Sequence, residues 1–491
     1  MVETLEIYAG DGSRRGPAPT GAFTGASGGS ACGDLVRVSV EIGAGRVRSA
    51  RFDADGCAVA VAAGAALAEA VEGGSVLEAC RLGADDVSAA LGGLTPQGRH
   101  GAELAADALH RALSAAASGG AALARPPAGR ERVLVALSGG VDSAVAALLE
   151  RERGAEVVTV TLKLWADRRT DGERSCCSPE AVVGARQLAH SLGLPHLTLD
   201  LEGAFRATVV DHFIGGYAAG VTPNPCIRCN GSLRIDAMIE LADRVGAGAL
   251  ATGHYARLAD DGSGPLLAAP ADAAKDQTYM LAGLAPASLA RLRFPLARMT
   301  KPEVRRIAAQ AGLAVAGRRE SQDLCFLAGE GKRAFLRRHA GLDDRPGEIV
   351  DAGGAVLGEH RGHHHFTVGQ RRGIGVAARK PLYVLATDAA ANRVVVGPHE
   401  WLASSSVRLR DVTLHRPGAR VDRVRLRYHS RALVCATATV GADEPGAGRH
   451  DELLIELATP VDGAAPGQSA CLMDGELVVG QGTIAAPPAR A

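Results

Sequence analysis

One short stretch limits what this chain can fold into more than any other. Val133-Leu-Val-Ala-Leu137 holds four branched apolar residues in five, the pattern of a parallel strand buried on both faces. Ser138-Gly-Gly-Val-Asp-Ser143 then makes a sharp polar turn, and Ala144-Val-Ala-Ala-Leu-Leu149 reads as a helix. A strand, a glycine turn and a helix N-terminus together make an anion site. Backbone N–H groups and the positive helix end converge on phosphate. Glycines at 139 and 140 carry no Cβ, so a phosphate can approach the backbone. No Lys-Ser/Thr follows the glycines, so this is not the GxxxxGK loop. A bare glycine pair in any α/β protein would be a bland feature. The six-residue string after a clean strand favours a nucleotide.

SGGxDS resembles the PP-loop of ATP pyrophosphatases, which split ATP into AMP and pyrophosphate and attach AMP to a substrate oxygen. The surrounding sequence fits such a domain. Val157–Leu164, His196–Leu201 and Ala249–Thr252 read as strands, and Pro179–Leu192 and Gly231–Arg244 as helices. That alternation predicts a parallel sheet with helices on both faces. Beyond about residue 340, short β-like runs (Glu348-Ile-Val, Leu382-Tyr-Val-Leu, Arg393-Val-Val-Val, Val424-Arg-Leu-Arg-Tyr, Glu452-Leu-Leu-Ile-Glu-Leu) are separated by turn residues. They predict one or two small β-barrels.

With 491 residues, the chain has room for three or four domains at roughly 150 residues each. No run approaches the ~18 apolar residues of a membrane span, and Met1-Val-Glu-Thr-Leu-Glu6 lacks a signal-peptide pattern. A soluble cytoplasmic protein with no membrane partner is expected. Basic and acidic residues balance at 54 each, so only a local patch can serve nucleic acid. The ten cysteines are not expected to form a disulfide framework in that compartment. Cys80, Cys435 and Cys471 sit in apolar segments and read as core residues.

Thr222-Pro-Asn-Pro-Cys-Ile-Arg-Cys-Asn230 holds a CxxC, and Cys325 stands in Glu320-Ser-Gln-Asp-Leu-Cys-Phe326. Alone, a CxxC fits zinc, redox chemistry, an iron–sulfur cluster or nothing, and Cys325 fits a core position. The motifs taken together narrow this. SGGVDS, TPNPCxxCN, Thr252-Gly-His-Tyr255, Lys275-Asp-Gln-Thr-Tyr-Met-Leu281, Ser321-Gln-Asp-Leu-Cys325 and Phe366-Thr-Val-Gly-Gln-Arg-Arg-Gly-Ile-Gly375 resemble the tRNA-specific 2-thiouridylases. The resemblance runs over about residues 130 to 485, in the family's order and spacing. It implies a PP-loop domain, a small central β domain and a C-terminal β-barrel. It also implies replacement of oxygen by sulfur at C2 of the wobble uridine.

The resemblance assigns roles residue by residue. Ala136, Leu137, Ser138, Gly139, Gly140, Asp142, Ser143, Leu162, Gly253 and His254 are expected to hold ATP, with Mg2+ on the phosphates. A uridine carbonyl oxygen leaves poorly, and adenylation turns it into AMP. In the family's account the cysteine matching Cys325 carries a persulfide, which the one matching Cys229 attacks, leaving a disulfide or freeing hydrosulfide. Only thiolates do this work. Cys226 stands where many members have Asp. With Cys229 and Cys325 it makes a three-cysteine set suited to a cubane iron–sulfur cluster with one open iron. Cluster and persulfide are both expected routes, with the cluster preferred and zinc behind both. Lys275, Asp276, Gln277, Arg298, Lys301, Arg371 and Arg372 are expected to meet tRNA. The basic runs Arg291–Arg306 and Lys332–Arg338 would add backbone contacts. Cys176 and Cys177 read as loop and cap residues, with a lesser sulfur-relay reading.

Residues 29 to 115 carry a second resemblance, to NifU-type iron–sulfur scaffolds. Ala31-Cys-Gly-Asp34, Arg51-Phe-Asp-Ala-Asp-Gly-Cys-Ala58 and His100-Gly-Ala-Glu-Leu-Ala-Ala-Asp-Ala-Leu109 carry it. Cys32, Asp34, Cys57 and His100 match metal-ligand positions, but the usual third Cys is Gly101 here. Those four would suit zinc or a labile cluster, and a degenerate docking domain is the alternative. The expected organisation is a scaffold domain over 1–117, a linker over 118–130, the PP-loop domain over 131–335, the central β domain over 336–400 and the barrel over 401–491. The first thirty residues look poorly ordered, and the linker looks flexible before its prolines. A cysteine desulfurase or another sulfur donor is the expected partner beside tRNA. Two rivals stand: a PP-loop ligase acting on a small metabolite, and a cluster carrier with a vestigial ATP site.

Overall fold

The computed structural model describes residues 2–29, 33–167, 179–318, 324–327, 329–441 and 443–486. Cys32, Cys176, Cys177 and Ser321–Asp323 lie outside them.

The N-terminal unit is α+β. Helix α1 (Val2–Gly10) leads into an antiparallel sheet of β1 (Phe23–Gly28), β2 (Leu35–Gly43) and β3 (Arg46–Asp55), ordered 1-2-3. Helices α2 (Ala58–Val71) and α3 (Arg99–Ser118) pack against it. On β3, Val47, Ala50, Phe52 and Ala54 are buried, and the register pairs Val38 with Phe52 and Val36 with Ala54. The approach of α3 to β1 is very close. A Cβ on Gly25 would lie 2.2 Å from the Ala108 carbonyl oxygen. Residues 2–29 are ordered, contrary to expectation. Leu5, Tyr8 and Ala9 pack on the core, Arg14 Nε donates to Glu72 Oε2 at 2.8 Å, and Gly16 N donates to the Phe52 carbonyl at 2.9 Å. Composition hid these anchors.

The catalytic unit is doubly wound. Strands β4 (Arg132–Ala136), β5 (Glu156–Lys163), β6 (His196–Asp200), β7 (Ala249–Ala251) and β10 (Leu292–Arg293) form a parallel sheet ordered 10-7-4-5-6. Between β7 and β10 the chain makes a hairpin, β8 (Arg257–Asp260) and β9 (Pro265–Ala268). Helices α4 (Val141–Glu152), α5 (Pro179–Ser191), α6 (Ile235–Arg244) and α7 (Lys301–Gln310) belong to this unit. The apolar run 133–137 behaves as a doubly covered strand. Val133 and Val135 join the cluster containing Val141, Val145 and Val304, whereas Leu134 joins the opposite cluster with Leu241 and Leu250. Chain order reverses between β4 and β7, so their C-terminal ends flank a crevice where such sheets bind ligands. The helix expected from Gly231 starts at Ile235, after a wide π-type turn over Asn230–Arg234.

Helix α8 (Lys332–Ala340) precedes the central sheet: β11 (Gly347–Val350), β12 (Val356–His360), β13 (Tyr383–Asp388) and β14 (Arg393–Gly397), ordered 12-11-14-13. Last come β15 (Ala403–Leu414), β16 (Arg423–Arg425), β17 (Leu433–Thr439), β18 (Gly448–Asp462), β19 (Ser469–Asp474) and β20 (Leu477–Ile484). They run 15-18-17-16-19-20, and β15 pairs with β20 to close the barrel. The β8–β9 hairpin of the catalytic unit adds to β20. No helix among the described residues is long and apolar enough to cross a membrane.

The linker is docked rather than loose. Leu123 is fully buried, and the N–H groups of Leu123 and Ala124 both donate to the Arg244 carbonyl, at 2.8 and 3.0 Å. Arg132 Nη1 donates to the carbonyls of Arg125 and Val245, at 2.6 Å each. The N-terminal unit shares one apolar cluster with β6 and α6. Across that junction His196 N donates to the Cys80 carbonyl at 3.1 Å, and Arg186 of α5 holds Asp107 of α3 at 3.0 Å.

Candidate functional site

The phosphate-type turn closes on itself before any ligand arrives. Ser143 Oγ accepts from Ser138 N at 3.1 Å and donates to the Gly140 carbonyl at 3.0 Å. Gly139 sits at φ +71°, a left-handed conformation that favours glycine. The first three N–H groups of α4 have no partner inside the helix, so the loop offers donors to an anion. Leu137 N donates to the Val160 carbonyl at 2.8 Å, which seats the loop between β4 and β5. From β7, Gly253 presses against the start of α4. A Cβ there would lie 2.7 Å from Ser143 N.

Asp142 is held from two sides. Lys301 Nζ reaches both of its carboxylate oxygens at 2.7 Å, and Tyr255 Oη donates to Oδ1 at 3.0 Å. Lys301 is only 7% exposed. It therefore stands inside the nucleotide loop's support, not on an open tRNA-facing surface as expected. His254 bonds Thr252 Oγ1 through Nδ1 at 2.9 Å. Burial, helped by Arg234, pushes its imidazole down to about 3, so it is neutral at physiological pH. Ala136 is half-buried and Leu162 buried at the flanking strands.

The CxxC is shaped by its prefix. Asn224 Oδ1 accepts from Cys226 N at 3.1 Å and Ile227 N at 3.3 Å, capping a short helix over Pro225–Cys229. Asn at the cap with Pro at the first helical position is a readable helix-start signal. Asn230 Nδ2 donates to the Met280 carbonyl at 3.0 Å, tying the turn to the Lys275–Leu281 motif. Cys229 is buried, and Cys226 and Cys325 are half-buried. Cys229 and Phe326 share one apolar cluster, against which Cys325 packs. Phe326 stacks edge-on to Phe213 and Phe335 at 5.1 Å each, which anchors the Cys325 turn. The CxxC and Cys325, about a hundred residues apart in sequence, thus border the same extended apolar cluster.

The metal expectations fare differently. Among the described residues no three His, Cys, Asp or Glu side chains are gathered as metal ligands, so Cys226, Cys229 and Cys325 do not form a ready-made thiolate cage. In the N-terminal unit, Asp34 accepts from Cys57 N at 2.9 Å and from Cys57 Sγ at 3.2 Å. His100 leans toward Glu103 at 4.0 Å and is half exposed. Gly101 sits where α3 meets α2. A Cβ there would lie 3.1 Å from Ala60 N, so the scaffold family's third cysteine has little room.

The tRNA candidates split into two groups. Arg298, Arg371 and Arg372 are exposed. Arg371 lines a cleft of about 480 Å3 together with Arg379 and Lys380, which suits a phosphate backbone. Lys275 is half-buried. Asp276 is committed to structure: Oδ1 accepts from Thr278 N at 2.9 Å and Oδ2 from Arg425 Nη1 at 2.8 Å, joining the catalytic unit to the barrel. Gln277 exchanges two bonds with Tyr255, as Tyr255 N donates to Oε1 at 2.9 Å and Gln277 N to the Tyr255 carbonyl at 3.0 Å. Of the basic runs, Arg291 pairs with Asp243 and Arg293 with Glu131 and Glu150. Arg338 pairs with Asp167 and Glu330, and Arg333 pairs with Asp344.

Comparison with known proteins follows the same division of the chain. Residues 11–118 match the family model described as NifU-like N terminal domain, and 131–329 the tRNA methyl transferase HUP domain. Residues 333–398 match the tRNA methyl transferase PRC-barrel domain, and 417–484 the aminomethyltransferase beta-barrel domain. The chain is similar to the bifunctional protein NifU/MnmA of Rubrobacter xylanophilus, 46% identical over 99% of this chain and 98% of that protein. The tRNA-specific 2-thiouridylase MnmA of Acidithiobacillus ferrooxidans is 44% identical over 72% of this chain and 98% of its own length. The one from Magnetococcus marinus is 41% identical over 72% and 99%.

Proposed function

This chain belongs to the tRNA-specific 2-thiouridylase family, with a NifU-like domain fused ahead of the catalytic unit, and we propose that it uses ATP to place sulfur at C2 of the wobble uridine of tRNA. The observation that carries the reading is the self-closed SGGVDS loop at the β4/β7 crevice, in a unit that also carries the CxxC and Cys325.

The chemistry runs in two steps. The uridine C2 oxygen attacks the α-phosphorus of ATP, pyrophosphate leaves with the electron pair of the broken P–O bond, and the uracil N3 proton goes to water. Hydrosulfide then attacks C2, the C2–O bond breaks, AMP leaves, and the sulfur-borne proton ends on N3. Magnesium carried in with the phosphates supplies charge neutralisation. Within the chain, Ser138, Gly139, Gly140 and Ser143 bind phosphate, Lys301 and Tyr255 hold Asp142, and neutral His254 offers its ring at the crevice. Arg298, Arg371 and Arg372 contact the tRNA backbone.

Sulfur reaches the base through the cysteines. A persulfide on Cys325 is attacked by the Cys229 thiolate at its inner sulfur, releasing hydrosulfide and leaving a Cys229–Cys325 disulfide that a thiol reductant resets. A cysteine desulfurase is the donor class that fits. The NifU-like unit associates the chain with iron–sulfur and sulfur handling. One observation favours a second reading: Cys226 gives the site a third thiol where an Asp would serve acid–base work. Three thiolates suit a cluster, though no ligand set is gathered among the described residues.

The experiment is anaerobic thiolation of tRNA with ATP, magnesium and a cysteine desulfurase with its cysteine substrate, with iron and zinc quantified. Cys229→Ala and Cys325→Ala are expected to abolish thiolation while tRNA-dependent pyrophosphate release continues. Iron-free protein that retains activity, little changed by Cys226→Ala, supports the persulfide route. Activity proportional to bound iron and lost in Cys226→Ala replaces it with the cluster route. Absence of tRNA-dependent AMP formation in the wild-type protein refutes the reading as a whole.

A further inference from the structure

The nucleotide loop has an unusual charge balance. The GxxxxGK loop carries its own lysine to the β- and γ-phosphates; this loop has none. Lys301 is the obvious substitute, but its ammonium reaches both Asp142 carboxylate oxygens at 2.7 Å, so that pair brings no net charge to a triphosphate. A leaving pyrophosphate develops negative charge that a fixed cation must meet.

One cation at the loop pairs with no carboxylate among the described residues. Arg318 is exposed, no described carboxylate pairs with it, and its Nη1 donates to the Gly139 carbonyl at 3.1 Å. The guanidinium sits 3.5 Å from where a Gly139 Cβ would be, at the lip of the phosphate turn. Its backbone is held in place. Arg305, on the second turn of α7, donates to the Ala316 carbonyl at 3.2 Å and to the Arg318 carbonyl at 3.5 Å. Arg318 N donates to the Val315 carbonyl at 3.0 Å. The side chain is thus a forked donor on an anchored stalk. The neutral carbonyl it now contacts is a weaker partner than a phosphate oxygen.

We propose that Arg318 is a phosphate-binding residue of the nucleotide site, one that exchanges the Gly139 carbonyl for the β- and γ-phosphate oxygens of ATP and stabilises pyrophosphate as it leaves. The proposal rests on the reading of this loop as the adenylation site. It gives the loop the cation its own sequence omits. It also places that cation seven residues before Cys325, on the segment that delivers sulfur.

The test uses the full chain with Arg318→Ala, Arg318→Gln and Arg318→Lys. Tritiated AMP formation dependent on tRNA is followed while pyrophosphate or AMP is added as inhibitor. The Ala and Gln variants are expected to lose about tenfold to a hundredfold in kcat/KM for ATP. The inhibition constant for pyrophosphate should rise by a comparable factor, and that for AMP should stay within about twofold of wild type. Arg318→Lys should fall between. If Arg318 only braces the loop, the constants for pyrophosphate and AMP move together, and the proposal is wrong. It is equally wrong if neither moves. A wild-type protein that releases no pyrophosphate with tRNA and ATP removes the site reading itself, an outcome visible before any variant is compared.

Discussion

At the scale of single residues, Lys301 of α7 holds both carboxylate oxygens of Asp142 at the start of α4, each at 2.7 Å. Ser138, Gly139, Gly140 and Ser143 were legible because a phosphate turn needs small residues at fixed offsets. Lys301, expected to meet tRNA, is buried and bonded to Asp142. Its neighbours in sequence are basic, but its partner Asp142 lies 159 positions away, and no local pattern reports such a distance. Asp276 and Gln277, expected from the family's motif to position ATP, the base or tRNA, bond Thr278, Arg425 and Tyr255. The Lys301–Asp142 pair carries a prediction. Lys301→Met leaves a carboxylate desolvated without its cation, which costs about 2–4 kcal/mol, the lower end applying because Asp142 keeps 29% of its side chain exposed. Urea unfolding of the Lys301→Met, Asp142→Asn double variant should recover most of that loss. A double variant no better than the single one would mean that Lys301 acts through packing alone.

At the scale of elements, four of the five strands of the parallel sheet match the sequence reading to within a residue or two, because buried apolar runs and flanking glycines are local signals; the two-residue β10 offers no such run. The junction between the N-terminal and catalytic units was not, since it is built from residues on α3, α5 and β6 that look unremarkable apart. His110, His190 and His196 meet there. His110 Nε2 bonds the Leu82 carbonyl at 2.8 Å, His190 Nε2 the Cys80 carbonyl at 3.1 Å, and His196 Nδ1 the Thr159 hydroxyl at 2.9 Å. Burial drives His110 down to about 3 and lowers the other two, with Arg186 adding to each and Asp107 and Asp86 opposing weakly. The sign follows directly. The unfolded chain binds protons on these rings below pH about 6.5 and the native one does not, so stability falls as pH drops from there toward 3. His110 alone should cost about 2 kcal/mol at pH 5. Urea midpoints between pH 7.5 and 5 would show it, and His110→Asn should flatten the dependence. A midpoint indifferent to pH would mean that the three rings protonate in place.

At the scale of the whole molecule, four sheets are tied by shared strands and ion pairs. The β8–β9 hairpin leaves the catalytic unit to extend the barrel at β20, and Asp276 to Arg425 bridges the same two units. This fixes the barrel relative to the crevice, so one tRNA can lie across both. Arg371 and Arg372 on the central unit are exposed, and Arg371 lines the 480 Å3 cleft; the proposed role is contact with the tRNA backbone. Replacing both with Ala should weaken tRNA binding for every sequence alike and lower the slope of log K against log salt by about one unit per lost contact. Filter binding across a salt series measures it. Weaker binding with an unchanged slope would assign these arginines to base or shape recognition.

The docked linker and the common apolar cluster have a consequence for how such a chain can change over generations. A fusion joined by a loose tether can be undone by a new stop and start codon, because each half keeps its own water-facing skin. Here Leu123 is buried, and the cluster that holds it spans α3, β6 and α6. A gene split between residues 118 and 131 would therefore release two proteins, each with an apolar wound that only several simultaneous polar replacements could heal. Burial across the seam acts as a ratchet: joining was one event, and separation would take many.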